Sequence, residues 1–488
     1  MPKSHGSVRI DLDTSERASS ELRWDQGIAS RGHLKGQPAT IIRPVSSPAA
    51  RPATLTVEER GASQNASTTA ISATDIAPRI SPSWRYSMGT PSSTALCALL
   101  ETQSTQQLLY HYRCLIASKL AWIDSVDNPW RSIILPMAME SPSLLFSILS
   151  MAAGDLSSKL SNASTPNDIS TKSNIYRELA IKHLATELAD YVTTTSINSL
   201  TPKGATITLA ATLVLCNLEV KLPHSTLWPI HLRAARAVIH CCAINDHLSN
   251  ATSDTHSFLL QKFHSMNAFA SMSTFDDLEE ASSDNLRHQH NNNNVFLEVL
   301  QIMQEVTRDQ RRQMVNYHDV EPSVMDSCQE VRDKLSQARR KTTVLCREAI
   351  MTDSENTRSD LATIADMFYY AGLIYSHQLL ALQCCPNQLG SWGSIILDKL
   401  DSLREVGSFC QNLLWPLFVA ATEIPWDEER QTLLERRIQQ IVELSGHWNG
   451  LRVLDFLRNF WKLRRVGRVN WIDLARDWAQ RGESFIVI

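Results

Sequence analysis

No two of the ten cysteines stand at Cys-x-x-Cys spacing, and none has a histidine partner at finger spacing. A zinc site is therefore unsupported. Residues 1–30 carry no apolar core behind their first charges, so a secretory leader is not expected and free thiols in a reducing, intracellular compartment are. Glycine and proline are scarce, 16 and 19 of 488 residues. An all-β chain needs a turn every few residues, so this scarcity argues against one. An excess of charge of one sign is missing too: 47 basic against 51 acidic side chains leave a net charge of −4. A chain that grips nucleic acid through its overall charge is basic, so that mode is disfavoured for the whole chain. No run of about 18 apolar residues stands out, so no membrane span is expected.

The chemistry-bearing motifs are missing as well. Gly-x-Gly-x-x-Gly, the Walker pattern, Gly-x-Ser-x-Gly, His-Glu-x-x-His and the Ca²⁺-loop pattern do not occur. A triad assembled from distant positions leaves no local mark, and 15 histidines make chance pairings abundant. No catalytic, cofactor-binding or metal-ligating residue is assigned, no cofactor is implied, and an enzyme is not expected. His111 and His231 fall on apolar stripes and read as hydrogen-bonded core or edge histidines. Cys241-Cys242 and Cys384-Cys385 read as small buried residues, because adjacent cysteines point different ways on a helix. Arg339-Arg340-Lys341 and Arg464-Arg465-x-x-Arg468 read as solvated helix ends, with a nuclear import signal or a phosphate contact as the alternatives.

What is present is a polar arm and a helical body. Residues 1–90 hold 14 Ser, 8 Thr, 7 Pro and 6 Gly, with apolar residues that follow no period. Such a segment cannot bury enough surface to offset its ordering entropy, so a disordered arm is expected. Ser47-Pro48 and Ser81-Pro82 within it read as loop dipeptides. Residues 91–488 are expected to form an all-α bundle of helices packed as antiparallel pairs, with a polar loop near 276–294 that contains His288 and His290. Leu108, Leu109, Tyr112, Leu115, Ile116 and Leu120 form one stripe. Asn128-Pro129 and Ser141-Pro142 are start signals, and Pro136 limits the intervening helix. Thr201-Pro202 opens another helix. Further helical patterns cover Ile175–Val192, Phe258–Met272, Val295–Thr307, Cys328–Thr352, Leu361–Leu382, Ile395–Ala421, Glu428–Leu444, Val453–Leu463 and Trp471–Ala479. Trp130, Trp415, Trp461 and Trp471, several of them beside prolines, read as buried anchors at helix junctions.

An ordered set of segments resembles one family. They are Leu108-Leu109-Tyr110-His111-Tyr112, Asp127-Asn128-Pro129-Trp130-Arg131, Leu135-Pro136-Met137-Ala138 and Ser141-Pro142-Ser143-Leu144-Leu145. Ser150-Met151-Ala152-Ala153, Leu215-Cys216-Asn217-Leu218-Glu219 and Trp228-x-x-His231-Leu232-x-x-Ala235-Arg236 follow. Trp415-Pro416-Leu417-Phe418-Val419-Ala420, Glu429-Arg430, Trp461 and Trp471 close the set. Together, over about residues 105–480, they resemble the fungal-specific transcription factor regulatory domain, which normally follows a binuclear zinc-cluster DNA-binding domain. The resemblance implies an all-α regulatory domain, a nuclear location and control of transcription, with secondary-metabolite gene clusters among the regulated targets. It implies protein partners: a zinc-cluster transcription factor or a second copy of the chain. One departure stands out: the first cysteine is Cys97, so the arm cannot supply the six-cysteine module, and direct DNA binding is left open. The alternative readings are a helical interaction scaffold, or a ligand-binding domain in which Leu361–Leu382 lines a pocket.

Overall fold

Proline opens helix after helix in this chain, because its missing N–H is unneeded in a first turn and its fixed φ suits one. The computed structural model describes residues 94–159, 166–193, 202–223, 225–244, 254–274, 296–315, 324–349, 355–380, 386–424, 427–467 and 469–488. The arm 1–90 and the loop 276–294, with Ser47, Ser81, His288 and His290, lie outside the described residues, as do Cys384, Cys385 and Arg468. The described residues begin with α1 (Thr94–Glu101), α2 (Gln103–His111) and α3 (Ala117–Leu120), the last two joined by a π-turn. After a second π-turn, α4 (Leu135–Ala138) leads to α5 (Pro142–Lys159), α6 (Pro166–Thr193) and α7 (Pro202–Lys221). Next come α8 (Trp228–Ile244), α9 (Asp254–Thr274), α10 (Leu297–Val315), α11 (Val324–Ala349) and α12 (Glu355–Leu379). The last group is α13 (Pro386–Ser402), α14 (Val406–Phe409), α15 (Leu414–Glu423), α16 (Glu428–Ser445), α17 (Gly450–Val466) and α18 (Trp471–Gln480). No strand occurs among the described residues, so the all-α expectation holds.

Side-chain contacts give the directions of the pairs. Ser143 donates to Glu187 and Ser150 to the Ser173 carbonyl, so α5 and α6 run antiparallel. Arg339 with Asp366 and Leu335 against Gly372 set α11 antiparallel to α12. Lys399 with Asp366 and Trp392 on His377 do the same for α12 and α13. Two aromatic clusters fill the core. Trp122, Phe296, Phe368 and Trp415 stack in sequence with centroids 5.0, 4.9 and 5.4 Å apart. Phe418, Phe456, Trp471, Trp478 and Phe485 form the other, its closest rings 4.5 Å apart.

Three expectations are corrected. Over Lys203–Lys221, α7 is long and apolar enough to cross a membrane, yet 78% of that stretch is buried inside the protein. Its apolar surface packs on α5, α8 and α9. Pro136 does not limit its helix: a π-turn at Trp130–Ile134 leads directly into α4, which runs on through it to Ala138. The wider turn supplies room for a residue without an N–H. The single helical stretch expected over Ile395–Ala421 is broken between α13 and α15. The Asp360 carboxylate accepts the N–H groups of Arg404 and Glu405 and stops α13. Gln411 and Asn412 then donate to the carbonyls of Ala121 and Trp122, at 2.9 and 3.0 Å.

Candidate functional site

The polar residues of the motif segments gather at buried junctions between helices. Leu215–Glu219 lies toward the end of α7, and Trp228–Arg236 begins α8. The turn between them sets Glu219, fully buried, against His231, whose Nε2 is 3.8 Å from Oε1. Arg177 of α6 closes on the same oxygen through Nε and a terminal nitrogen, at 2.7 and 2.6 Å. Ser225 donates to Oε2. Burial pushes the Glu219 carboxyl up, but the His231 ring, the Arg177 charge and the Ser225 hydroxyl outweigh it and hold the group below its ordinary range. The hub thus ties α6, α7 and α8 together through one carboxylate.

A second hub joins the first helices to α5. His111 Nε2 lies 2.7 Å from Asp155 Oδ2, and Lys159 reaches the same oxygen at 2.6 Å. Burial raises the Asp155 carboxyl, but the hydrogen bonds from His111 and Lys159 prevail and hold it far below the usual carboxylate range. Gly446 ends α16 with φ +69°, and a Cβ there would come within 3.3 Å of Asp155 Oδ1. Glycine is needed for both the left-handed turn and the close approach.

Asn128 makes the third. Its side chain donates to the Ala117 carbonyl and to Asp124, at 2.9 and 2.8 Å, and accepts the Trp130 N–H at 2.9 Å. Trp130 is buried and its indole N–H donates to the Leu120 carbonyl at 2.9 Å. The Asn-Pro-Trp segment therefore seals the end of α3 onto the helical stretch that follows. Pro416 sits inside the first turn of α15 rather than between helices, and Trp415 beside it is buried.

The other singled-out residues are packing or surface groups. Phe368 and Tyr375 of α12 are core residues, and the Tyr375 hydroxyl lies 2.7 Å from that of Thr307. Open grooves of about 560 and 600 Å³ run along α11, with Gln337, Arg340 and Val344 among the residues that line them. Arg339 pairs with Asp366 and covers the Tyr369 ring, and Lys341 pairs with Glu298. Arg464 donates to the Thr422 carbonyl at 2.5 Å, while Arg465 is exposed. Cys216, Cys346 and Cys410 are buried free thiols; Cys114 is exposed, and so, against the expectation of burial, is Cys241. Among the described residues, no three His, Cys, Asp or Glu side chains gather as metal ligands.

The comparison with known families decides what this assembly is. Residues 107–485 match the fungal specific transcription factor domain. The chain belongs to that family. A 133-residue stretch is 29% identical to the transcriptional activator protein UGA3 of Saccharomyces cerevisiae, covering 27% of this chain and 24% of that protein. The match thus spans about a quarter of that relative. No solved structure matches. The fungal specific transcription factor domain is a transcription factor family and not an enzyme family. In this member of it, His111, Asn128, Trp130, Glu219 and His231 all close junctions between helices.

Sequence reasoning did not find Asp155, Arg177, Lys221 or His447. For Asp155 a usable signal was present: a charge inside the broad apolar stripe of α5 has to find a partner when the helix is buried. Glu219 carries the same signal on α7. The identity of the partners carries no such mark, since Arg177 lies 42 residues from Glu219.

Proposed function

We propose that the chain is a transcriptional regulator that acts in the nucleus through protein contacts and controls a fungal secondary-metabolite biosynthetic gene cluster. The observation that carries this reading is the family match running from residue 107 to residue 485. The relative that matches over part of its length is itself named a transcriptional activator. With Cys97 as the first cysteine, these 488 residues hold no six-cysteine binuclear module ahead of the helical body. In this reading its protein partners are a zinc-cluster transcription factor or a second copy of the chain. The net charge of −4 fits protein contacts better than phosphate contacts.

The test is to tag the chromosomal copy, image it, and sequence transcripts after deletion. Nuclear fluorescence and a coordinated change in one gene cluster are expected, with a zinc-cluster protein in the cross-linked complex. Cytoplasmic fluorescence with unchanged transcripts overturns the reading and leaves the helical scaffold. A change in dispersed nutrient-use genes would retain transcriptional control and overturn the gene-cluster assignment.

A further inference from the structure

Two ammonium groups meet the turn that ends α16, and a third lies at the neighbouring end of α3. Lys119 Nζ, from α3, donates to the Leu444 carbonyl at 2.5 Å. Lys221 Nζ, from the end of α7, donates to the Ser445 carbonyl at 3.2 Å. Lys262 Nζ, from α9, lies 5.7 Å from the Trp130 ring centre and 3.5 Å from the Leu120 carbonyl, the outer limit of a hydrogen bond. His447 in the turn is 7% exposed; its ring meets the Ile488 backbone, and its Nδ1 has no hydrogen-bond partner. The charges of all three lysines reach it.

The surroundings balance this charge only in part. A helix C-terminus offers about half a negative charge, so the ends of α16 and α3 together supply roughly one against three ammonium groups. Asp155 is the carboxylate nearby: its charge reaches Lys119 and Lys221, while His111 and Lys159 engage its Oδ2. The thiols of Cys216 and Cys410 stay neutral, because burial raises both. Among the described residues, no carboxylate lies within ion-pair distance of Lys119, Lys221 or Lys262. Burial pushes Lys221 and Lys262 down to about 8. Burial and the neighbouring lysines also hold His447 well below its ordinary value.

We propose that this junction binds a small oxyanion, the carboxylate or phosphate group of a metabolite, between Lys119, Lys221, Lys262 and His447. Such an anion supplies the missing charge and lets His447 take up a proton, which turns Nδ1 into a donor toward it. It links α3, α7, α9 and the turn between α16 and α17, so occupancy stabilises the folded domain by mass action. The site stands whether or not the chain regulates transcription.

The experiment uses the full chain, with inorganic phosphate and succinate as probes. Thermal melting and isothermal titration are run in each anion against chloride at fixed ionic strength. A saturable rise in melting temperature is expected with at least one anion, and Lys221→Met and Lys262→Met are each expected to weaken binding at least tenfold. Lys341→Met, on the exposed side of α11, is expected to bind as the parent does. If Lys221→Met does not fold, Lys262→Gln with ³¹P line broadening of phosphate reads the same loss. A response to phosphate alone or to succinate alone supports the site and identifies which group it takes. No saturable response to either anion, or unchanged affinity in both lysine variants, overturns the proposal.

Discussion

Replacing Arg177 with methionine removes the guanidinium that holds Glu219 and leaves the rest of the hub in place. The methionine stem keeps much of the packing of the arginine chain. The fully buried carboxylate then faces only Ser225 and His231. Removing one partner of a buried pair costs roughly 3–5 kcal/mol. The Arg177 side chain is 23% exposed, so solvent screens part of the interaction and the low end, about 3 kcal/mol, is expected. With an unfolding entropy of about 2.1 cal/mol/K per residue, the 107–485 domain loses roughly 4 °C in Tm. The assay is urea unfolding followed by tryptophan fluorescence. Arg177→Met combined with Glu219→Leu is expected to be more stable than Arg177→Met alone, because no unpaired charge stays buried. Acid supplies a further check. Glu219 is held below its ordinary range, so its contribution is complete above the unfolded value of about 4.3 and is lost as pH falls through the lower folded value. The gap between the parent and Arg177→Met therefore narrows on acidification. A loss under about 1 kcal/mol for the single variant, or additive effects in the double, refutes the hub.

Asn128→Ala strips the Ala117 carbonyl and the Trp130 N–H of their buried partner and is expected to cost about 1–3 kcal/mol in the same urea titration. Gly450→Ala places a Cβ against Val442 Cγ2 and 3.4 Å from Leu414 Cδ2; overpacking of about 1–3 kcal/mol should appear as a lower melting temperature. In native protein a maleimide is expected to label Cys114 and Cys241 quickly, and to reach Cys216, Cys346 and Cys410 only when urea unfolds the chain, as mass spectrometry of the labelled peptides will record.

The helix starts were legible because the signals are local. Pro142 and Pro202 open α5 and α7 where the dipeptides Ser141-Pro142 and Thr201-Pro202 place them. The break after α13 was not legible, because it is made by Asp360, 44 and 45 residues before the amides it accepts. The same reason hid the polar hubs. His231 was read as a hydrogen-bonded core histidine and stands beside Glu219, but Arg177 enters from another helix. Lys119 and Leu444 meet across 325 residues. Periodicity shows which face of a helix is buried; it does not show which distant charge that face will meet. The aromatics of α12 were visible as a stripe, but not their partners: Phe368 packs on Trp122, Phe296 and Trp415, while Tyr369 and Tyr370 are half-buried.

The contact between Lys119 and Leu444 also sets a clock. The paired helices between them join near neighbours in sequence and can form as soon as each pair is made. The end of α3 cannot be finished that way, since its partners on the α16 turn are synthesised 325 residues later. At about 5–20 residues per second that is a wait of roughly 16–65 s. During it Lys119 and the carbonyls of Ala121 and Trp122 stand without the residues that will meet them. The first helices can pack on α5 early, through His111 and Asp155, but the end of α3 waits for the last third of the chain to close it.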